Sequence, residues 1–597
     1  MDIHSIDFTW LKKQARTSDP AHGEQIRLAL LADSATQLIA EAIVGYGTVS
    51  DIRYIVYEPE YDSTDREVFD PTSGLYRFQP DFVIIIRSTE NLTQQFYRTP
   101  VEKRPAFAEE QLAYLETICN RLTQTLTARI ILCNYPESND GVFGNFANKT
   151  ESSFLYQLRK LNFRLMEKAA NRGNLFICDL AALLSSKGYE AGFDPKMYFH
   201  AHQAFSLSFL PWLAKHLHDI IMAAHGRFKK CLILDLDNTL WGGAIGDDGL
   251  EGIQLGELGL GKIFSGLQLW IRELAARGIV IAVCSKNDAE KARSPFLHHP
   301  QMELHLEDVA VFVANWESKV DNIRYIAQVL QIGFDTMVFL DDEPVERARV
   351  RQAIPGITVP ELPEDPAQCL PYLRDLNLFE TASYTAEDKK RTALYRQEAT
   401  RTMHQQTFTG EADFLASLDM RSSAKAFDSF LIPRIAQLSQ RSNQFNLRTI
   451  RYTEQEVSTL AANPAYLTLS FTLEDNYGDY GLIAFVVLRP QTLPAPEHPA
   501  SPGAKPGVDT KTLFIENWVM SCRVLKRGME QFTLERIREK ALQAGYTTII
   551  GEYLPTQKNS LVRDHYAGLG FTDIGHGRWE LDLRQQPLAT SIFIKAK

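Results

Sequence analysis

Residues 26–31 (IRLALL) form an uninterrupted apolar run ending at Ala32-Asp33-Ser34, and ATQLIAEAIVGYG follows with apolar positions at helical spacing. That pattern predicts strand, turn and helix. It recurs in FVIII (Phe82–Ile86), FAEEQLAYLETICNRLTQTL, ARIILCNYP and NLFICDLAALL. Short apolar strands alternating with amphipathic helices predict a parallel α/β domain, covered on both faces, over residues 1–222.

A second α/β unit opens at Lys229-Lys230-CLILDLDNTLWGG. It continues through the helix GLQLWIRELAARG, the strand IVIAVCSKND, the acidic segment LEDVAVFVANWESKVDNIRYIAQVLQIG and the strand TMVFLDDEPVE. The Pro-rich stretch PGITVPELPEDPAQCLP closes it near residue 371, so the domain is placed at 228–375. The charged span TAEDKKRTALYRQEATRTM predicts a helical connector over 376–425. Residues 426–597 contain the strands YLTLSFTL, LIAFVVL, LFIENWVMSC and TTIIGEY and the helix MEQFTLERIREKALQAGY, an α+β pattern. Within it, residues 489–508 (RPQTLPAPEHPASPGAKPGV) predict a disordered loop, because such composition buries too little apolar surface to offset its ordering entropy. No internal repeat is evident.

The length of 597 residues agrees with several domains, at roughly 100–200 residues each. Lys and Arg number 63 against 74 Asp and Glu, a formal charge of -11, with no basic block. Nucleic acid is therefore excluded as a partner, because binding its backbone takes clustered positive charge that releases counterions. Seven cysteines (Cys119, Cys133, Cys178, Cys231, Cys284, Cys369 and Cys522) are widely spaced without a C-x-x-C, so neither a disulfide framework nor a zinc site is expected. MDIHSIDFTWLKKQA lacks the basic n-region and apolar run of a signal peptide, and the apolar runs are far shorter than the roughly 20 residues that span a bilayer. A cytoplasmic protein with no membrane partner is expected.

The chemistry concentrates in the middle domain. Asp235-Leu-Asp237-Asn-Thr239 directly follows the apolar strand CLIL, and the C-terminal end of a parallel strand faces the crevice where open α/β sheets bind ligands. There one carboxylate can attack phosphorus while the other handles the leaving-group proton. IVIAVCS ends in Ser285, a donor for phosphate oxygens; Lys319 offers a point positive charge; VFLDD ends in Asp341 and Asp342, hard oxygen ligands for Mg²⁺. The expected catalytic pair is Asp235 and Asp237, the substrate contacts Thr239, Ser285 and Lys319, and the metal set Asp235, Asp237, Asp341 and Asp342. Glu346 is a candidate supporting acid.

In order and context these motifs resemble the haloacid dehalogenase (HAD) superfamily of aspartyl-phosphate phosphotransferases, with its Rossmann-like fold. KKCLILDLDNTLWGGAIGDDG, VCSKND, VANWESKVDNI and VFLDDEPVERARVR are similar to the FkbH-like family, as are EDNYGDYGLIA, SCRVLKRGMEQ and LPTQKNSLVRDHYAGLGF further on. The resemblance covers roughly residues 230–580. It implies capture of 1,3-bisphospho-D-glycerate, removal of phosphate, and delivery of the glyceryl group to the phosphopantetheine thiol of an acyl carrier protein in polyketide biosynthesis. Ser318 stands where the family pattern has proline, and His305 where it has a basic residue.

Asn559 and Tyr566-Ala-Gly-Leu-Gly570-Phe571 resemble the closing motif of the GCN5-related N-acetyltransferase (GNAT) fold. Arg523 to Gly528 resembles its pyrophosphate loop, with Glu530 where a small residue is usual, so a pantetheine arm or no ligand at all are the alternatives to acetyl-CoA. Asp33-Ser34 resembles the nucleophile block of SGNH hydrolases, with Asp194, His200 and His202 near its usual Asp and His. Asp194-Pro-Lys-Met197 lacks the histidine of that motif, which implies a degenerate hydrolase fold used for docking. Acyl transfer needs a thiol to attack the acyl-phosphate carbonyl. Cys231, four residues before Asp235, lies about 13 Å away at about 3.3 Å per residue. Cys284 alternates to the far face of its strand, which leaves Cys522 as the relay candidate. A plain phosphatase and a non-catalytic carrier-protein docking scaffold are the competing readings.

Overall fold

The computed structural model describes residues 3–17, 23–384, 394–397, 401, 404, 408, 410–442, 444–491, 512–556, 559–584 and 591–597. The chain divides into two units, Met1–Ala224 and His225–Lys597.

In the first unit, strands β1 (Glu24–Ala32), β2 (Ile52–Tyr57), β3 (Phe82–Ile86), β4 (Arg129–Cys133) and β5 (Leu175–Cys178) form a sheet of order β2-β1-β3-β4-β5. Every pairing is parallel. β3 is buried along its whole length, as a strand covered on both faces requires.

The second unit holds two sheets. In the middle one, β6 (Cys231–Leu234), β7 (Val280–Ser285), β8 (Val309–Ala314) and β9 (Met337–Leu340) run parallel in the order β8-β7-β6-β9. The chain winds from β6 outward to β8 and returns to β9 on the other side, so the switch of direction lies at β6 and β9. Ligands settle outside the strand ends at such a point. Beneath it Cys231, Ile233, Ala282, Cys284 and Phe339 pack against Ile323, Ile326 and Leu330 of the helix Lys319–Leu330.

The other sheet is mixed and eight-stranded: β10 (Met420–Lys425), β11 (Leu467–Asp475), β12 (Gly478–Gln491), β13 (Thr512–Met520), β14 (Thr548–Glu552), β15 (Thr572–Gly575), β16 (Arg578–Asp582) and β17 (Ile594–Ala596), in the order β15-β16-β14-β13-β12-β11-β10-β17. Two expected boundaries move. β10 pairs with β11 and β17, and Phe414, Leu415 and Met420 enter the core of this sheet, so the domain begins inside the span assigned to the connector. Arg489, Pro490 and Gln491 close β12 in register with Phe514, Leu513 and Thr512, so the insert begins later than its composition suggested. Its remainder, and most of the charged span 385–403, lie outside the described residues. No helix among the described residues is long and apolar enough to cross a membrane.

Candidate active site

Register carries the carboxylates together. β6 and β9 pair as Leu234↔Leu340, and the Asp235 N–H donates to the Leu340 carbonyl at 2.9 Å, which sets Asp235 and Asp341 side by side one residue past the strands. Ligand oxygens of Asp235, Asp341 and Asp342 lie within 4.8 Å of one another. Lys319, at the start of its helix, reaches between two of them: Nζ is 2.7 Å from Asp235 Oδ2 and 2.6 Å from Asp341 Oδ2. Lys319 is 4% exposed and Asp341 0%.

Three carboxylates and one ammonium leave this pocket anionic, and the titration shifts follow. Burial and then repulsion from Asp235 push the Asp341 carboxyl up, partly countered by Lys319 and the Glu343 amide. Burial followed by the Asp235 charge raises Asp342 as well. Burial alone would lower Lys319, but Asp235 and Asp341 outweigh it and hold the ammonium above its usual range. Asp235 Oδ1 is buried without a hydrogen-bond partner. An orphaned acceptor inside a cluster of hard oxygens fits a divalent cation, which would satisfy the lone pairs and relieve the repulsion.

Asp237 does not join that cluster. Its Oδ1 accepts from Trp241 Nε1 at 2.9 Å and from the Ile245 N–H at 3.0 Å, and its Oδ2 accepts from Asn287 Nδ2 at 2.9 Å. The intervening turn supports this: Asn238 at φ 52° and Gly243 at φ 89° adopt left-handed conformations, and the Gly243 N–H donates to Asn238 Oδ1. Three donors fix the orientation of the Asp237 carboxylate apart from the three clustered acids.

Thr239 is also held more tightly than a substrate contact requires, since its hydroxyl accepts from the Asp342 N–H at 3.2 Å and donates to Asp342 Oδ1 at 3.4 Å. It therefore orients Asp342. Ser285, at the end of β7, is 1% exposed and accepts from Asn287 Nδ2 at 3.2 Å. Asn287 thus joins Asp237 to Ser285, a role the spacing of VCSKND did not single out. Arg347 was missed too: Nη1 donates to the carbonyls of Asp341 (2.9 Å) and Asp342 (2.6 Å) while Nε reaches Glu361. It clamps the backbone that carries two of the three carboxylates. Glu346 pairs with Lys286 at 2.9 Å and Arg349 at 2.8 Å; burial would raise its carboxyl, but the bond to Lys286 and the surrounding cations hold it below the usual range.

Cys231 and Cys284 are both fully buried, and burial pushes both thiols far up. Cys284 Sγ lies 3.7 Å from the Lys319 carbonyl, beneath the site. Cys522 begins a 3-10 turn after β13, and its side chain lies outside the described residues.

The flanking motifs are engaged in structural contacts. At the loop that leads into the helix Met529–Gln543, Glu530 Oε1 accepts from the Lys526 N–H at 3.1 Å. Arg527, in that loop, lies 3.4 Å from the buried Asp475. β13 and β14 pair only at Thr512–Phe514 with Thr548–Ile550. Past that point residues 445–447 lie along β13, with Met520 N–H donating to the Phe445 carbonyl, Leu447 N–H to Trp518, and Leu554 N–H to Leu447. Asn559 Nδ2 fastens the same segment through the Asn446 carbonyl.

In the first unit, Asp33 accepts from the Ser88 N–H at 2.8 Å, and burial raises its carboxyl. Ser34 is 3% exposed and its Oγ has no hydrogen-bond partner. Asp194 caps the helix Pro195–Ala201, His202 meets Tyr61 at 3.3 Å, and His200 is exposed. Among the described residues no hydrogen-bonded Ser–His–Asp relay is assembled.

Residues 27–222 match the FkbH N-terminal domain family. No curated protein matches the chain. Among solved structures, the N-terminal part of the protein BF1531 from Bacteroides fragilis, which contains a phosphatase domain and is complexed with Mg, is 47% identical. That match covers 63% of this chain and 100% of the relative, at a TM-score of 0.61. The ribosomal-protein-S18-alanine N-acetyltransferase from Escherichia coli aligns over 28% of this chain and 96% of its own at 14% identity and a TM-score of 0.19. A relative of that identity matched along its whole length, together with an N-terminal third that matches the family by itself, places the chain in the FkbH-like family, to which it belongs.

Proposed function

We propose that the chain is a Mg²⁺-dependent, HAD-type phosphatase and glyceryltransferase that takes 1,3-bisphosphoglycerate, removes phosphate and loads the glyceryl unit onto the phosphopantetheine thiol of an acyl carrier protein. The observation that carries the phosphatase part is the convergence of Asp235, Asp341, Asp342 and Lys319 at the C-terminal ends of β6 and β9. The Mg-complexed phosphatase domain of the Bacteroides fragilis relative supports the same cation here.

Asp235, Asp341 and Asp342 would hold the cation, which supplies charge neutralisation of the phosphoryl oxygens. Asp235 is the nucleophile: its oxygen bonds phosphorus, the bond from phosphorus to the substrate oxygen breaks, and the leaving oxygen takes up a proton by way of Asp237. Water then cleaves the aspartyl phosphate. Lys319 and Ser285 offer donors to the phosphoryl oxygens. Asn287 keeps Asp237 aimed.

The transferase part is supported by the family resemblance and extends to a carrier-protein partner. The experiment is direct: full-length protein, Mg²⁺, 1,3-bisphosphoglycerate and holo carrier protein are incubated together, and the carrier is weighed by intact mass spectrometry. A glyceryl mass on the carrier supports transfer. Phosphate release with an unmodified carrier leaves the second reading, a plain phosphatase. That reading draws on Cys231 and Cys284, the cysteines nearest the site, being sealed in the core with thiols that burial keeps protonated. Repeating the assay with Cys522→Ala separates a relay at that position from direct attack by the carrier's thiol.

A further inference from the structure

Lys286 is the first residue past the end of β7, and Glu346 lies in the first turn of the helix Pro344–Ala353 that follows β9. β6 runs between those two strands, so the 2.9 Å contact from Lys286 Nζ to Glu346 Oε1 crosses beyond the end of β6, where Asp235 stands. Adjacent strands lie about 4.8 Å apart, so the two ends of this bridge start about 10 Å apart with the nucleophile between them. Burial would raise the Glu346 carboxyl, but Lys286, Lys319 and Arg349 together hold it below its usual range, which shows that Glu346 faces the pocket's own ammonium as well.

Arg349 Nη1 reaches the same oxygen, Glu346 Oε1, at 2.8 Å. Two cations therefore divide one acceptor. They are also far more open to water than the pocket is: the Lys286 side chain is 35% exposed and that of Arg349 62%, against 4% for Lys319. Ion pairs so exposed add little to stability, and exchanging Glu346 for a ligand's anion costs the fold little. Lys286 is placed to move alone. Its neighbours Ser285 and Asn287 are bonded to each other, and Asn287 to Asp237, which fixes the backbone, whereas a four-carbon lysine stem can swing. A phosphate or carboxylate offers both cations charge-assisted bonds without making them share one oxygen.

We propose that Lys286 and Arg349 read a second, non-reacting anionic group on the substrate, and that Glu346 holds them in its absence. The inference rests on the phosphatase reading above and narrows it to compounds that carry another phosphate or a carboxylate a few bonds from the reacting phosphoryl group, of which 1,3-bisphosphoglycerate is one. Lys319 and Ser285 take the reacting end; the bridge takes the other. A compound with a single anionic group leaves the bridge closed and forgoes those bonds.

The experiment uses the Mg²⁺-loaded full-length chain with phosphonoacetate, which has a phosphonate and a carboxylate, and ethylphosphonate, which has the phosphonate alone. Both carry phosphorus on carbon, a bond that attack by Asp235 does not break, so calorimetry reads binding without turnover. The unsubstituted chain is expected to bind phosphonoacetate about tenfold more tightly, as one hydrogen bond between charged groups commonly gives. Lys286→Met should erase most of that difference, and Arg349→Met should reduce it. Glu346→Gln should widen it, because both cations are released; a bridge that merely braces the fold predicts that this substitution weakens both ligands alike. The proposal is overturned if the unsubstituted chain binds the two ligands equally, or if the difference survives both Lys286→Met and Arg349→Met. Phosphate release from 1,3-bisphosphoglycerate is measured on the same preparation. Its absence overturns the phosphatase reading, whereas release together with equal binding of the two phosphonates overturns only the assignment of Lys286 and Arg349.

Discussion

Replacing Lys319 with Met tests the electrostatic logic of the site. The ammonium sits 2.7 Å from Asp235 and 2.6 Å from Asp341, so its loss changes the local charge from two net negatives to three while filling much the same volume. Removing one partner of a buried ion pair costs about 3–5 kcal/mol, because the remaining charge stays desolvated and uncompensated. Here two partners are stranded, but Asp341 already has its carboxyl raised by burial and by Asp235, so proton uptake relieves part of the strain. A loss near the lower end, about 3 kcal/mol at neutral pH, is therefore expected in chelated protein.

The same reasoning makes the defect depend on metal. A divalent cation would substitute for the missing ammonium among Asp235, Asp341 and Asp342, so Mg²⁺ should stabilise Lys319→Met more than it stabilises the unsubstituted chain. Urea unfolding of both proteins, each in EDTA and in excess Mg²⁺, gives the four midpoints needed. The reasoning is refuted if the variant loses less than about 1 kcal/mol in EDTA, the range of an exposed pair, or if Mg²⁺ shifts both proteins equally.

Asp235→Asn should abolish phosphate release with the fold intact, since the amide is a poor nucleophile of nearly the same shape. Asp237→Asn should slow release by about 10²–10⁴-fold, the usual worth of general acid–base assistance; colorimetric phosphate assays read both. Arg347→Gln should raise the Mg²⁺ concentration for half-maximal release by about 10–100-fold, the typical effect of losing a group that orients ligands, and leave saturated turnover much less affected. His565 supplies a pH dependence of stability. The residue as a whole is half-buried, but its ring lies among Trp518 (4.5 Å), Phe445 (4.9 Å) and Tyr566 (5.4 Å), and burial holds it down to about 3. Below about 6.5 the unfolded chain binds a proton that the folded chain refuses, so stability is complete above that pH and falls by up to about 1.4 kcal/mol per unit on acidification. His565→Phe should remove this part of the slope in urea midpoints measured between pH 7 and 5.

What could be read from the sequence was whatever the chain expresses as a run or an alternation. CLIL, IVIAVCS and MVFL are strands buried on both faces, and each ends where a chemical residue begins, so Asp235, Ser285, Asp341 and Asp342 could be placed without coordinates. β10 was missed for the converse reason: MRSSAK alternates a buried Met420 and Ser422 with solvent-facing residues and carries no apolar run, and its pairing with the C-terminal β17 spans a separation in sequence that no local window detects. Arg489 to Gln491 open a Pro/Ala/Gly-rich stretch whose composition predicts a loop, yet proline is tolerated near the end of a strand and β12 ends one residue after Pro490. The site shows the same division at finer scale. Residue type announced which groups could act on phosphate, while the groups that aim them, Asn287 on Asp237, Thr239 on Asp342 and Arg347 on the Asp341–Asp342 backbone, became recognisable only through hydrogen bonds made across the fold. A carboxylate two residues past a strand looks equally suited to metal ligation or proton transfer. What sets Asp237 apart from the cluster of Asp235, Asp341 and Asp342 is that Trp241, Ile245 and Asn287 hold it, which leaves it fixed in orientation beside the turn that follows Asp235.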